Sequence, residues 1–275
     1  SFPGTDEAFV GPRGAFLRGG IQPDLVRSFV TGEVVRDWEI TPVECAFAAY
    51  GANHEPLDLD VRWLATMWPV RTTVWSTLSF GGRTRKDNGD SYWTWYRWIP
   101  SRYRTPLSIA FAFVATHNQF VLDRGGKVFN RTAPVIKLPA GASEDDHLAL
   151  LGLLNSSAAG YWLKQMCQPK NAGQGGAEPW EWRFEHDGSK VESLPVPPGV
   201  LPVLYGERLD RLASERSLLM PESVATRAVP TRETLTAAQV GWERLSLEMT
   251  AVQEELDWYV YGLYVLLDGD EFVYP

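Results

Sequence analysis

Cysteine and histidine are scarce, with two of the first and four of the second in 275 residues. Cys45 and Cys167 form no CxxC or Cys/His metal spacing. They fit buried thiols in a reducing cytoplasm better than a disulfide framework. His54, His117, His147 and His186 are scattered, and no HExxH places two of them on one helix face. Long apolar runs are missing too. No stretch approaches the roughly 18–20 apolar residues that a membrane-crossing helix requires, so no membrane partner is expected. The opening Ser1-Phe2-Pro3-Gly4 has neither an initiator Met nor the basic front and apolar middle of a signal peptide, and it reads as the start of an excised piece.

Reaction motifs are also absent. There is no Gly-x-Ser-x-Gly nucleophile elbow and no strand leading through a Gly-rich cofactor loop into a helix. Neither Asn-Pro-Pro-Tyr nor Asp-Pro-Pro-Tyr, the type of segment that holds a flipped adenine, occurs. Gly125-Gly126 and Gly175-Gly176 are isolated pairs. No catalytic residue, metal ligand or bound cofactor is therefore expected within this chain.

What is present is an ordinary globular composition, 44% hydrophobic and 22% charged, with an unusual twelve tryptophans. The length allows one large domain or two smaller ones. Net charge is -8, which by itself argues against a nucleic-acid partner. Its distribution argues the other way. From Arg83 to Lys137 ten Lys or Arg face three acids (Asp87, Asp90, Asp123), so this segment is +7 and the remainder -15. A basic island in an acidic chain is the electrostatic footprint of a polyanion-binding face. The competing reading is a sheet with a solvated charged face.

The first 80 residues read as short extended segments and turns, with a short helix near 22–30 opened by Pro23 and Asp24. An apolar, aromatic stretch runs from Trp63 to Phe80. Gly81 to Asp90 (GGRTRKDNGD) is a polar turn-rich loop. Tyr92 to Trp98 reads as a strand with either Trp93/Trp95 or Tyr92/Tyr96/Trp98 turned inward. Leu107 to Val121 is a strand pair, Asp123 to Gly126 a tight hairpin turn, and Lys127–Asn130 and Val135–Leu138 further strands. Ser143 caps a helix through Leu148, Leu151, Leu154, Ala158, Trp162 and Met166, with Asn155 suited to capping or kinking it. Residues 173–176 form a flexible loop, Arg183–Glu185 a strand, and Leu194–Pro198 a stiff exit. Beyond residue 200 the chain turns Glu/Arg/Leu-rich, with Leu245, Met249, Val252 and Leu256 at helical spacing. The expected architecture is mixed α+β, a twisted, largely antiparallel sheet with packed helices. It comprises a domain over 1–200 followed by a helical segment over 201–275.

The candidate binding residues sit on or beside turns in the basic segment. They are Arg83, Arg85, Lys86, Asn88, Arg102, Arg104, His117, Asn118, Gln119, Arg124, Lys127, Asn130 and Arg131. Arg offers paired donors to phosphate or to guanine, while Asn and Gln match the adenine edge. The aromatics Tyr92, Trp93, Trp95, Tyr96, Trp98 and Tyr103 can stack on bases, or fill a core as alternating aromatics more often do.

The run Thr116-His117-Asn118-Gln119-Phe120-Val121-Leu122-Asp123-Arg124-Gly125-Gly126-Lys127-Val128-Phe129-Asn130-Arg131, continuing through Thr132 to Pro139, resembles the specificity region of PglX-type methyltransferases. These are adenine-specific DNA methyltransferases of phage-defence systems of the BREX and phage-growth-limitation kind. The helix Leu150–Ser157 and the exit Leu194-Pro195-Val196-Pro197 are similar to elements of TaqI-like and Type I target-recognition domains. The segment Gln253–Trp258 resembles a helix that follows them. The resemblance implies recognition of double-stranded DNA for a methyltransferase domain that lies elsewhere and binds S-adenosylmethionine. Other phage-defence subunits are possible partners. Two further readings are the specificity domain of a fused Type II restriction–modification enzyme and a protein-interaction module that binds partner subunits or a phage inhibitor.

Overall fold

The computed structural model describes residues 8–79, 81–96, 98–171 and 178–267. Its first half contains β1 (Val10–Gly11), α1 (Arg13–Arg18), β2 (Val26–Val30), β3 (Val35–Arg36), β4 (Glu39–Ile40), β5 (Glu44–Phe47), α2 (Val61–Met67) and α3 (Arg71–Ser76). The middle adds β6 (Ser108–Phe111), β7 (Val114–Ala115), β8 (Phe120–Asp123), β9 (Lys127–Phe129) and β10 (Val135–Ile136). Then follow α4 (Glu144–Leu154), α5 (Ser157–Met166), β11 (Gln168–Pro169), β12 (Phe184–Glu185) and α6 (Gly188–Glu192). Last come α7 (Val203–Ser217), α8 (Pro221–Arg227) and α9 (Arg232–Leu263). The architecture is mixed α+β, built on several small, largely antiparallel sheets.

Two compact units interleave along the chain. The first comprises Ser1–Val30, Pro42–Pro106 and Arg124–Asn130; the second comprises Thr31–Thr41, Leu107–Asp123 and Arg131–Pro275. Unit 1 carries 13 Lys/Arg against 9 Asp/Glu and unit 2 carries 13 against 25, so their net charges are +4 and -12. The basic excess is a property of unit 1.

Unit 1 centres on a four-stranded sheet in the order β1-β5-β2-β9. β1 and β2 flank β5 antiparallel, while β9 joins β2 in parallel, with Phe29 opposite Val128. The segment 22–30 is not the helix its Pro-Asp start suggests. A single 3-10 turn, Pro23–Leu25, leads into β2. There Val26 and Phe29 gain a ladder with β5 and Val30 one with β9, which suits β-branched and aromatic residues better than a helix does. Residues 61–76 are helical rather than extended. The core gathers Ile21, Leu25, Val26, Phe47, Trp63, Met67 and Val74.

Unit 2 is larger. Its sheet β10-β6-β8 is antiparallel throughout, and β6 is buried at every residue, as expected of a central strand. The hairpin expected at 123–126 does not form. β8 pairs with β6 in unit 2 and β9 with β2 in unit 1, so Gly125 and Gly126, at φ of 100° and 80°, let the chain leave one sheet for another. A capping box between Ser143 and Asp146 starts α4 as expected, with Asp146 N–H donating to Ser143 Oγ at 3.1 Å. α4 stops at Asn155, its C-cap, and Ser156 caps α5 afresh. α4 and α7 cross where both present glycine: a Cβ on Gly206 would overlap the Leu148 carbonyl oxygen. α9 runs 32 residues, about 48 Å at the usual helical rise. Its Leu245, Met249, Val252 and Leu256 are all buried, as their spacing predicts. The expectations for residues 1–4 and 173–176 fall outside the described residues.

Candidate nucleic-acid interface

In unit 1 the polar loop 81–90 is closed by backbone hydrogen bonds. Ser79 N–H donates to Arg83 O at 2.8 Å, Arg85 N–H to Thr77 O at 3.0 Å and Asp90 N–H to Arg85 O at 3.0 Å. Gly82 and Gly89 take φ of 74° and 78°, so the two bends need glycine. Arg85 stands inside this loop, 3% exposed. Its Nη2 donates to Ser91 O (2.9 Å), Thr94 O (2.6 Å) and Thr94 Oγ1 (2.8 Å), and its Nε lies 3.9 Å from the Asp90 carboxylate. A buried guanidinium with these partners holds loop to neighbour and has no free face for a ligand. Burial pulls its pKa below the usual arginine value, opposed by Asp90.

Arg83, Lys86 and Asn88, in contrast, are exposed. Arg83 Nη2 donates to Asp87 O at 2.9 Å, and Lys86 Nζ lies 5.9 Å from the Trp75 ring centroid. Asp87 accepts from Thr84 Oγ1 at 2.6 Å, a hydrogen bond that holds its carboxyl below the ordinary range, with Arg83 and Lys86 adding to the effect. The loop's acid thus stays ionised and compensated.

A second basic group lies at Arg102 and Arg104, exposed in and after the 3-10 turn Pro100–Tyr103. Gly125 packs against Pro106, three residues past that turn, and its neighbour Arg124 is exposed. Stacked rings support that turn: Tyr50 on Trp98 at 4.0 Å and Trp98 on Tyr103 at 4.4 Å between centroids. Burial pushes the Tyr50 hydroxyl up to about 12.

Among the described residues, Tyr92–Tyr96 and Trp98 form no strand. Trp93 donates to Leu57 O (3.0 Å), Trp95 to Phe47 O (2.7 Å) and Trp98 to His54 O (2.7 Å). The aromatics tie loops together through side chains rather than through a ladder. Arg97 lies outside the described residues. Lys127 and Asn130 are half-buried at β9, where Asn130 N–H donates to Val30 O at 2.8 Å.

Four candidates fall in unit 2: His117, Asn118, Gln119 and Arg131. Arg131 is exposed. The other three line an open cleft of about 710 Å³, together with Asp37, Trp38, Tyr161, Lys164, Arg216 and Trp242 among others. Asn118 Nδ2 donates to Leu154 O (2.7 Å) and Ser156 O (3.1 Å), closing the break between α4 and α5. Gly160 leaves room for it, since a Cβ there would approach Asn118 Oδ1 to 2.5 Å. Gln119 is buried; its Oε1 accepts from Asp37 N–H at 2.7 Å and its Nε2 contacts the His117 ring. Both carboxamides are therefore engaged internally, while His117 remains exposed. Lys137, counted in the basic segment, is turned inward, with Nζ donating to Leu107 O at 3.1 Å and burial lowering its pKa.

Against known proteins, the chain is 41% identical over 276 aligned positions to the adenine-specific methyltransferase PglX of Streptomyces coelicolor. The alignment takes in 97% of this chain and 23% of that protein. The chain is homologous to this part of PglX. It spans about a quarter of PglX's length, and no protein-family model matches it.

One feature of this PglX-like chain has no sequence signal. The β3–β4 hairpin turns through Asp37 and Trp38, at φ of 47° and 67°, where Asn-Gly is the usual choice. Left-handed backbone at an aromatic residue is strained and persists only when neighbours impose it. Here Gln119 holds the Asp37 N–H, Arg216 Nη2 donates to Asp37 O (3.2 Å), and Trp38 Nε1 donates to Gln253 Oε1 (3.2 Å). Gln119 is thus a brace for the hairpin at the cleft.

Proposed function

We propose that this chain reads DNA sequence for an adenine-specific DNA methyltransferase of a phage-defence system. Methyl transfer and S-adenosylmethionine binding belong, in this reading, to a methyltransferase domain of the parent protein outside this chain. The partners are double-stranded DNA, that domain, and further defence subunits, in the cytoplasm. The observation that carries the reading is the set of exposed cations in unit 1 (Arg83, Lys86, Arg102, Arg104 and Arg124) in a chain homologous to part of PglX. They stand on turns fixed by buried side chains, so they can meet phosphates without first paying to order the loops. Arg85, Asn118 and Gln119 support this surface or the unit 2 cleft from within.

A second role is supported for unit 2 alone. Its net charge of -12 opposes DNA, and its exposed Tyr161, Trp180 and Trp258 suit contact with protein. We assign it to docking within the parent enzyme or against a partner subunit.

The test is fluorescence anisotropy of the 275-residue chain with mixed-sequence duplex DNA over a salt series. Each phosphate contact adds about -0.9 to the slope of log K against log salt, so these five cations allow a slope of roughly -4.5. Replacing Arg83, Lys86 and Arg124 with Glu, leaving Arg85 intact, should abolish binding. Absence of binding at low salt, or binding that survives this variant, would overturn the reading.

A further inference from the structure

We propose that the 81–90 loop is a preformed reading element in which the Asn88 carboxamide contacts a base edge, with adenine as its match, while Lys86 contacts phosphate. The inference rests on the DNA-reading function proposed above and names where in unit 1 sequence is distinguished.

The basic segment 83–137 holds four carboxamides: Asn88, Asn118, Gln119 and Asn130. Sequence discrimination at adenine uses the paired donor and acceptor of Asn or Gln against N7 and N6 of the base. Asn118 and Gln119 are committed to Leu154, Ser156, Asp37 and His117. Asn130 sits half-buried at the end of a strand. Asn88 is exposed, and among the described residues its carboxamide makes no hydrogen bond.

Its backbone, however, is fixed. Asn88 N–H donates to Thr84 O at 3.1 Å, and the following Gly89 N–H donates to Lys86 O at 3.0 Å. Arg85 anchors the loop beneath from a buried position, and Trp75 Nε1 donates to Asp90 O at 3.0 Å at the loop's far end. A short side chain on an immobilised backbone has only two rotatable bonds to order on contact, which suits discrimination rather than bulk affinity. Lys86 stands beside it on a long flexible stem, a point charge suited to phosphate and carrying no base information.

The test selects preferred duplexes from a random-sequence pool with the wild-type chain, then measures binding of single-base variants of the winner. Asn88→Ala should flatten the preference at one position, removing about ten-fold discrimination there, with the salt slope unchanged. Asn88→Asp turns a donor–acceptor group into an acceptor and should shift that position from adenine to cytosine, whose N4 amine donates. Lys86→Ala should lower the slope by about 1 and leave every preference intact. Both Asn88 variants lie on the surface, and matching melting curves check that each folds. A wild-type chain that selects a site, with Asn88→Ala keeping the full preference, overturns this assignment while the DNA-reading function stands. Binding without any selected sequence also overturns it, and no binding at any salt removes the function on which it rests.

Discussion

Asn155 offers the sharpest test of how unit 2 is held together. It opens the two-residue break between α4 and α5, and its side chain completes the free edge of β8. Phe120 N–H donates to Asn155 Oδ1 at 3.0 Å, and Asn155 Nδ2 donates to Phe120 O at 2.8 Å. Phe120 is fully buried and β8 is an edge strand bonded on its other side to β6. Asn155→Ala removes both partners at once. A buried backbone group left without a partner costs about 1–3 kcal/mol, so the pair should cost about 2–4 kcal/mol. For a chain of this size that is a fall in Tm of roughly 5–10 °C, read by calorimetry or by far-UV circular dichroism. Asn155→Asp separates the two bonds. It keeps an acceptor for the Phe120 N–H but sets a carboxylate against the Phe120 carbonyl, so at pH 7 it should be as unstable as Asn155→Ala. Below about pH 4 the protonated carboxyl becomes a donor, and part of the loss should return. A drop in Tm under about 2 °C for Asn155→Ala would refute the reasoning, because water would then be able to satisfy an edge described here as closed.

Other perturbations test other parts of the molecule. Gly206→Ala drives a Cβ into the Leu148 carbonyl where α4 meets α7, and should destabilise unit 2 by about 1–3 kcal/mol, read as the shift in urea midpoint. Tyr50, held up to about 12 by burial and 2% exposed, should ionise last in a 295 nm titration. Its folded value lies above the unfolded one near 10, so its stabilisation is whole below pH 10 and lost as pH rises through 12, on the order of 3 kcal/mol. Cys167 is buried, with its thiol pushed up by that burial, so Ellman's reagent at pH 7.5 should label Cys45 promptly and Cys167 only at the rate of unfolding. Equal labelling rates would contradict the placement of Cys167.

What the sequence discloses is whatever local periodicity and capping control. Ser143 with Asp146 starts a helix because their side chains meet backbone N–H groups three residues apart. Leu245, Met249, Val252 and Leu256 share one face of α9 because a helix repeats every 3.6 residues. Long-range pairing is different. β2 joins β5 and, across a hundred residues, β9, and nothing within Val26–Val30 names those partners. The Pro-Asp start at 23–24 favours a helix locally and is overruled by that sheet. The Asp37–Trp38 turn carries no glycine or asparagine and exists because Gln119, Arg216 and Gln253 impose it from far away in sequence. The candidate site was legible as a basic segment; the split between exposed Arg83 and buried Arg85, two residues apart, required the fold.

The tryptophans connect these observations. Unit 1 has strands of two to five residues, too short to satisfy the carbonyls of its long connections through ladders. Five indoles do so instead: Trp63 donates to Gly20 O (2.6 Å) and Trp75 to Asp90 O (3.0 Å), besides Trp93, Trp95 and Trp98. Each also buries a large apolar face, so one residue supplies both the hydrogen bond and the core that a loop lacks. Aromatics used in this way are occupied from within, which argues against their stacking on bases; in the proposed function, recognition then falls to the polar groups on the turns they brace. A surface of Arg83, Lys86, Asn88, Arg102 and Arg124 then stands on loops made rigid by side chains rather than by regular structure. In the proposed DNA-reading role, those side chains can change while the indole staples beneath keep the same backbone, so a change of recognised sequence need not disturb the core.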